Sequence, residues 1–185
     1  AWQETAPEDL KARIGEAGIV GMGGAAFPTL VKLSPPPAKP IDVLILNGVE
    51  CEPYLTADDR LMLEAADKVL TGARIIARVL GVERVILGIE ENKPEAIAHM
   101  RSRASEFDVE VVSLHLHYPQ GAEKQLIYAL TGRKVPTGGL PMDIGAVVQN
   151  VGSCAAVFEA VVEGKPLYER ITTVTGTPLV NPGNW

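Results

Sequence analysis

The chain has 185 residues, 46% of them hydrophobic and 22% charged, the composition of a globular domain that can bury a core without disulfides or metals. Its net charge of −6 argues against a general nucleic-acid binder, although local backbone N–H groups can hold a small anion whatever the net charge. No apolar run reaches the length of a membrane span, and the two cysteines, Cys51 and Cys154, form no Cys-x-x-Cys pair with which to hold an iron–sulfur or zinc cluster.

The sequence opens on Ala1 with no signal peptide, and the expectation is an excerpt of a longer protein. Residues 7–17 are predicted as a helix. Pro7 suits its first turn, Leu10, Ile14 and Ala17 share a face, and Gly18 ends it. A glycine-rich loop fills 18–28, and the proline-rich segment 34–40 reads as a surface connector. Residues 41–46 form a short apolar strand, followed by a polar loop over 47–59. A long helix is predicted over 60–80, disturbed at Gly72 and stopped by Gly81. A second strand covers 84–89. Asn92 and Glu95 have the spacing of a capping box opening a helix through Ser105. A third strand is expected over 109–116 and a helix over 122–130, closed by Gly132. A long loop leads to a fourth strand over 146–149, then to a helix over 151–162 stopped by Gly164. Residues 167–175 alternate like a separate, half-exposed strand.

Four strand–helix units in succession imply an α/β fold: a mostly parallel sheet between helical layers, Rossmann-like and three layers deep. Such sheets bind ligands beyond the carboxyl ends of their strands. The four strands run into polar segments containing Asn47, Glu50 and Glu52; Glu90 and Glu91; Tyr118, Gly121 and Glu123; and Gln149, Asn150 and Ser153. One shared pocket is therefore expected.

The loop over 21–29, with Lys32 after it, has the glycines that let backbone N–H groups approach phosphate oxygens. It lacks the Gly-Lys-Ser/Thr of a P-loop, and no strand precedes it, so by itself it reads equally well as a plain turn. Glu50 and Glu52 read either as solvated carboxylates or as acceptors for ribose hydroxyls or a carboxamide. His115 and His117 face the same side of a strand, and an ordinary strand edge is favoured over a metal site because no third ligand is evident. Cys51 lies between two glutamates, the wrong field for a nucleophilic thiolate. Gly-x-Ser-x-Gly is absent, which argues against an α/β-hydrolase.

The segments GIVGMGGAAFPTLVK, NGVECEP, TADDR, TGRKVPTGGLPMDIGAVVQNVG and TVTG, in that order, resemble the C subunits of Rnf-type membrane electron-transport complexes. The wider superfamily includes the flavin-binding subunit of respiratory complex I and the cobalamin reductase of propanediol metabolism. The resemblance implies noncovalent FMN and hydride exchange with NAD(H). Gly21, Gly23, Gly24, Ala25 and Lys32 match positions around FMN, as do Asn47 and Glu50. Tyr118, Gly121 and Glu123 match a stretch beside the flavin, and Gln149, Asn150 and Ser153 match a strand end near its phosphate and ribityl chain. Phe27 and Glu52 match positions that contact the nicotinamide nucleotide.

The resemblance also implies iron–sulfur clusters outside this chain, other subunits of a membrane complex as partners, and a peripheral place on the cytoplasmic face of the bacterial inner membrane. On this reading residues 1–165 form the nucleotide-binding domain and 166–185 begin a β-grasp-like module. Ala26, Val49, Thr137 and Leu140 depart from the complex I pattern, which carries glycine, an acidic residue, lysine and phenylalanine there. A cobalamin reductase of the same superfamily, and a docking domain with a degenerate pocket, are the alternative readings.

Overall fold

The four apolar runs form one sheet in the computed structural model, which describes residues 1–185. The strands are β1 (Val43–Gly48), β2 (Arg84–Glu90), β3 (Val109–Leu114) and β4 (Ala146–Asn150). Every adjacent pair is parallel, in the order β3-β2-β1-β4. The chain thus builds outward from β1 through β2 to β3, then returns to place β4 on the other side of β1.

Seven α-helices accompany the sheet: α1 (Pro7–Glu16), α2 (Thr29–Lys32), α3 (Ala57–Glu64), α4 (Ala66–Leu80), α5 (Pro94–Ala104), α6 (Glu123–Thr131) and α7 (Val151–Phe158). A π-helical turn, Glu159–Glu163, continues α7. The side-chain alternation of β1 divides the core. Leu44 and Leu46 join a cluster of 31 buried residues with α1, α3, α4, α5 and α7, whereas Val43 and Ile45 join only 9 with α6. One face is thickly covered and the other thinly, which leaves room for a cleft on the α6 side.

The structure corrects several local expectations. The long helix is broken at Ala65 (φ −137°, ψ 37°) and runs straight through Gly72. Gly72 is instead the crossing point of α4 and α7: a Cβ there would lie 1.8 Å from the Cys154 carbonyl oxygen. The Asn92–Glu95 capping box does not form, because α5 starts one residue later with Lys93 as its cap. Strand β3 ends at Leu114, and the Leu116 N–H turns to the Glu91 carboxylate (3.2 Å), so His115 and His117 lie beyond the ladder. The strand expected over 167–175 shrinks to β5 (Thr173–Val174), paired antiparallel with β6 (Gly183–Asn184). The residues before it are committed elsewhere: the Leu167 N–H bonds the Ala17 carbonyl (2.9 Å) and the Arg170 side chain bonds the Met22 carbonyl (3.1 Å). Helix α2 has no counterpart among the predicted elements. No helix is long and apolar enough to cross a membrane.

Glu90, the last residue of β2, is wholly buried, and neither carboxylate oxygen makes a hydrogen bond. Burial pushes its carboxyl above the usual carboxylate range, against the pull of Lys93. A carboxyl raised by folding binds its proton more tightly in the folded state. Its contribution is therefore most favourable at low pH and is lost as pH rises through the folded value.

Two outcomes are expected. Gly72→Ala should destabilise the protein by at least the upper end of the ~1–3 kcal/mol typical of overpacking, since the obstacle is a backbone carbonyl. Denaturant titration checks this, and a loss below about 0.5 kcal/mol, the range of an ordinary surface substitution, would contradict the close crossing. Glu90→Gln should be more stable than the parent at pH 7, with the difference shrinking toward pH 4. Unfolding midpoints across that range decide it, and a difference that does not vary with pH would mean Glu90 titrates normally.

Candidate functional site

The strand order reverses between β1 and β4, and a crevice opens at their carboxyl ends, as the topology requires. The last register pair of these strands is Asn47 opposite Asn150. Both asparagines are committed to the walls. The Asn47 amide donates to the Gly121 carbonyl (2.9 Å), and its oxygen accepts the Val49 N–H (3.2 Å). The Asn150 oxygen caps α7 by accepting the Gly152 N–H (2.7 Å), while its amide donates to an Asp58 carboxylate oxygen (2.7 Å).

The crevice has two lobes meeting at Gly23, Gly24, Asn47, Gly121, Ala122 and Asn150. Their volumes, about 430 and about 570 Å³, are each within the ~300–1,000 Å³ of small-molecule sites. The first lobe runs along β4 and is lined by the glycine loop with Phe27, by Lys32, Glu123 and Gln149, and by apolar surface from Leu140, Pro141, Met142 and Val147. The second is polar. Its walls include Glu50, Cys51, Glu52, Asp58, Arg170, Thr172 and Thr173.

The glycine loop is a closed arch. Val20 and Pro28 form a bridge at its base, and the Gly21 N–H bonds the Phe27 carbonyl (2.8 Å). At its top the Met22 N–H donates to the Ser153 hydroxyl (2.9 Å), which in turn donates to the Val20 carbonyl (3.2 Å). The N–H groups of Gly23 and Gly24 donate to no protein acceptor. Gly24 sits at φ +148°, where an L side chain is strained, and a Cβ there would meet nothing within 4 Å. Ala26 adopts φ +50°, so the departure from glycine at this position holds a left-handed conformation with an alanine.

Lys32 spans the first lobe, donating to a Glu123 carboxylate oxygen (2.8 Å) and to the Val148 carbonyl (2.9 Å). Gln149 is almost wholly buried, and its side-chain nitrogen has no partner. A buried amide without a partner costs about 1–3 kcal/mol, so this nitrogen marks a place for an acceptor in the lobe.

Of the predicted site residues, Gly21, Gly23, Gly24, Ala25, Phe27, Lys32, Asn47, Gly121, Glu123, Gln149 and Asn150 line the first lobe, and Glu50 and Glu52 line the second. Ser153 is buried behind the loop and positions it. Tyr118 lies outside both linings, where its hydroxyl donates to a Glu52 carboxylate oxygen (3.0 Å). That bond pushes the phenol up. Glu50, at φ +50°, folds back to accept the Asp58 and Asp59 N–H groups (2.7 and 3.2 Å) at the start of α3. Lys93 lies beside it, 3.8 Å away. Burial raises the carboxyls of both Glu50 and Asp58.

Three of the four polar strand ends meet at the crevice. The fourth, Glu90 and Glu91 at the end of β2, does not line it, because β2 is one strand removed from the switch point. Asp58, Arg170, Thr172 and Thr173 line the crevice without having been expected there. For Asp58 the two consecutive aspartates of TADDR are an available signal; for the other three the sequence offers none.

A family model described as the Nuo51 FMN-binding domain matches residues 14–159. The chain is 57% identical over 183 residues to the C subunit of the proton-translocating ferredoxin:NAD(+) oxidoreductase complex of Clostridium ljungdahlii. It is 52% identical over 174 residues to the Na(+)-translocating counterpart from Acetobacterium woodii. These matches cover 99% and 94% of this chain but only 40% and 39% of the relatives, so the chain spans about two fifths of their length. Among solved structures it resembles an NAD+-reducing NiFe-hydrogenase, with a TM-score of 0.74 and 27% identity over 87% of this chain and 32% of that one.

Proposed function

This chain belongs to the Nuo51 FMN-binding domain family, and from that premise we propose that its crevice binds FMN noncovalently and serves electron transfer between NAD(H) and iron–sulfur carriers. The whole protein is then one component of an ion-translocating ferredoxin:NAD oxidoreductase, peripheral on the cytoplasmic face of the bacterial membrane, with the clusters held outside this chain. Residues 166–185, which carry the β5–β6 ladder, begin a further β-rich module.

The observation that carries the reading is the unpartnered Gln149 nitrogen in a lobe roofed by an arch with free N–H groups. These are donors without protein acceptors in the lining of the lobe, and the adjoining apolar wall suits a flat aromatic ring. Residues 21–25 of the arch with Lys32, Asn47, Gly121 and Glu123 would border the ring. Gln149 and Asn150 would meet the polar chain, and Ser153 would hold the arch. Glu50 and Tyr118 would act through their neighbours, Glu50 by fixing the start of α3 and Tyr118 by orienting Glu52. Phe27 and Glu52 would face the nicotinamide nucleotide. Bound FMN would supply the exchange between hydride and single-electron chemistry. The protein's own work is orientation: Lys32, paired with Glu123 and bonded to the Val148 carbonyl, is held in one place in the lobe.

Equilibrium dialysis of the folded chain with FMN at micromolar concentration, read by the visible flavin spectrum, tests the proposal directly; retention is expected, and none would refute it. Gly24→Val should abolish FMN binding and leave the thermal midpoint within a few degrees of the parent, because the added side chain enters the crevice and the loop carries no core. A Val variant that binds normally would remove the arch from the site.

NADH should bind the FMN-loaded chain at least about tenfold more weakly than FMN binds. Leu140 lines the first lobe where the complex I pattern has an aromatic ring. Lys134 lies over the Tyr128 ring (5.5 Å) and lines neither lobe. An absent charge-assisted bond is worth ~1.5–3 kcal/mol, one to two decades. Anaerobic NADH titration with flavin bleaching measures this, and low-micromolar affinity unchanged in Lys134→Ala would overturn it.

A further inference from the structure

The segment after α7 has almost no share in the core. None of residues 166–185 is buried, and only Leu167 among them packs against the large cluster. Polar contacts hold the segment to the domain instead, and they fall on two sides of the crevice. The Leu167 N–H bonds the Ala17 carbonyl (2.9 Å) just before the glycine arch. The Arg170 guanidinium donates to the Met22 carbonyl (3.1 Å) at the top of the arch. The Thr173 hydroxyl accepts the Thr56 N–H (3.3 Å) at the head of α3, and the Asn184 amide donates to the Thr56 hydroxyl (3.1 Å). Reciprocal bonds between Thr172 and Trp185 (2.7 and 3.0 Å) close the segment on itself.

Arg170 is where this segment meets the arch. The Met22 carbonyl and the Gly23 N–H belong to one planar trans peptide and point in opposite directions. Holding the carbonyl therefore fixes the direction of the Gly23 N–H, a donor with no protein acceptor. Glycine resists a rotation of that peptide little, because it accepts both signs of φ. The Ser153 hydroxyl fixes the other side of Met22 through its N–H (2.9 Å) and leaves the Met22–Gly23 peptide free to turn. Arg170 also faces Asp58. Burial raises the Asp58 carboxyl, and the Asn150 amide and the Arg170 charge draw it back. Asn150 caps α7 at the switch point, so one guanidinium joins the exposed segment to both walls of the crevice.

We propose that Arg170 is a positioning residue that orients the Gly23 N–H by holding the Met22 carbonyl, and so couples flavin binding to the docking of residues 166–185. The assignment rests on the flavin reading above. Coupling of this kind is reciprocal: if docking of the segment favours FMN, FMN favours docking of the segment to the same extent.

The test uses the whole chain as parent, Arg170→Met and Arg170→Lys. Methionine keeps an apolar stem and loses donors and charge; lysine keeps a donor and the charge. Amide hydrogen exchange is measured without and with FMN, and FMN affinity by flavin fluorescence. Without FMN, Arg170→Met should speed exchange of the bonded Gly21 and Met22 amides of the arch, leave the amides of β1 and β2 unchanged, and keep the thermal midpoint within about 2 °C, as for a surface substitution. Its FMN affinity should fall about five- to tenfold. FMN should slow exchange of the Leu167 and Thr172 amides in the parent and not in Arg170→Met. Arg170→Lys should recover most of both effects.

Weaker FMN binding in Arg170→Met with arch exchange unchanged would show that Arg170 touches the ligand directly, and would overturn the proposal. Faster exchange throughout the sheet with a lowered midpoint would overturn it by making Arg170 a general stabiliser. So would FMN that binds the parent and leaves Leu167 and Thr172 unprotected. A parent that binds no FMN would refute the flavin reading and the coupling with it, whereas exchange of the unliganded chain decides by itself whether Arg170 holds the arch.

Discussion

The structure depends on one topological constraint: β1 has β2 on one side and β4 on the other, and the chain must leave its carboxyl edge in opposite directions. Asn47 and Asn150, the last register pair across that divide, cannot be covered by a connecting segment passing between them. Their polar groups must then be satisfied from the sides. Asn47 reaches Gly121 before α6, and Asn150 reaches Asp58 at the start of α3 and Gly152 at the start of α7. Two side chains thereby fix three segments around an opening that the sheet itself cannot fill.

The unequal cores follow the same line. Five helices and 31 buried residues back one face, whereas the α6 face has 9. Strand β4 is an edge strand with an unpaired rim, a feature that normally has to be blunted or covered. Here the rim is met by Lys32, which donates to the Val148 carbonyl, and by the lobe-lining residues Leu140–Met142 of the long loop. A lysine and a loop do what a fifth strand would do elsewhere, and the space a strand would occupy becomes a cavity. The thick face supplies rigidity and the thin one supplies the site.

Strands β1, β2 and β4 were legible in the sequence because both their faces are buried, which makes each a nearly unbroken apolar run; β3, at the sheet edge, keeps Glu110 and Ser113 exposed and was legible from its valines. Helix ends were legible where Gly81, Gly132 and Gly164 take left-handed caps. Gly72 misled because a mid-helix glycine has two physical causes, a break or a close approach, and only the position of Cys154 distinguishes them. Glu90 and Glu91 looked like crevice residues because sequence places them at a strand end but does not say which strand flanks the switch point. Arg170 was illegible for a simpler reason. It meets Met22 across 148 residues, and nothing local in an exposed, alternating segment marks it as part of the site.

That contact changes how the glycine loop must be understood. Four small residues in a row, Gly23 to Ala26, read equally well as a flexible turn, and composition alone cannot decide. In the fold the loop's base is bridged at Val20 and Pro28, and the two sides of the Met22 residue are gripped by Ser153 and Arg170. Glycine is needed at 24 for its φ of +148° and its clear approach, while loop mobility is removed by partners drawn from α7 and the C-terminal segment. Donors held in place before a ligand arrives lose little entropy when it binds. The free N–H groups of Gly23 and Gly24 are therefore preorganised donors, and their readiness depends on a serine and an arginine that lie far away in sequence.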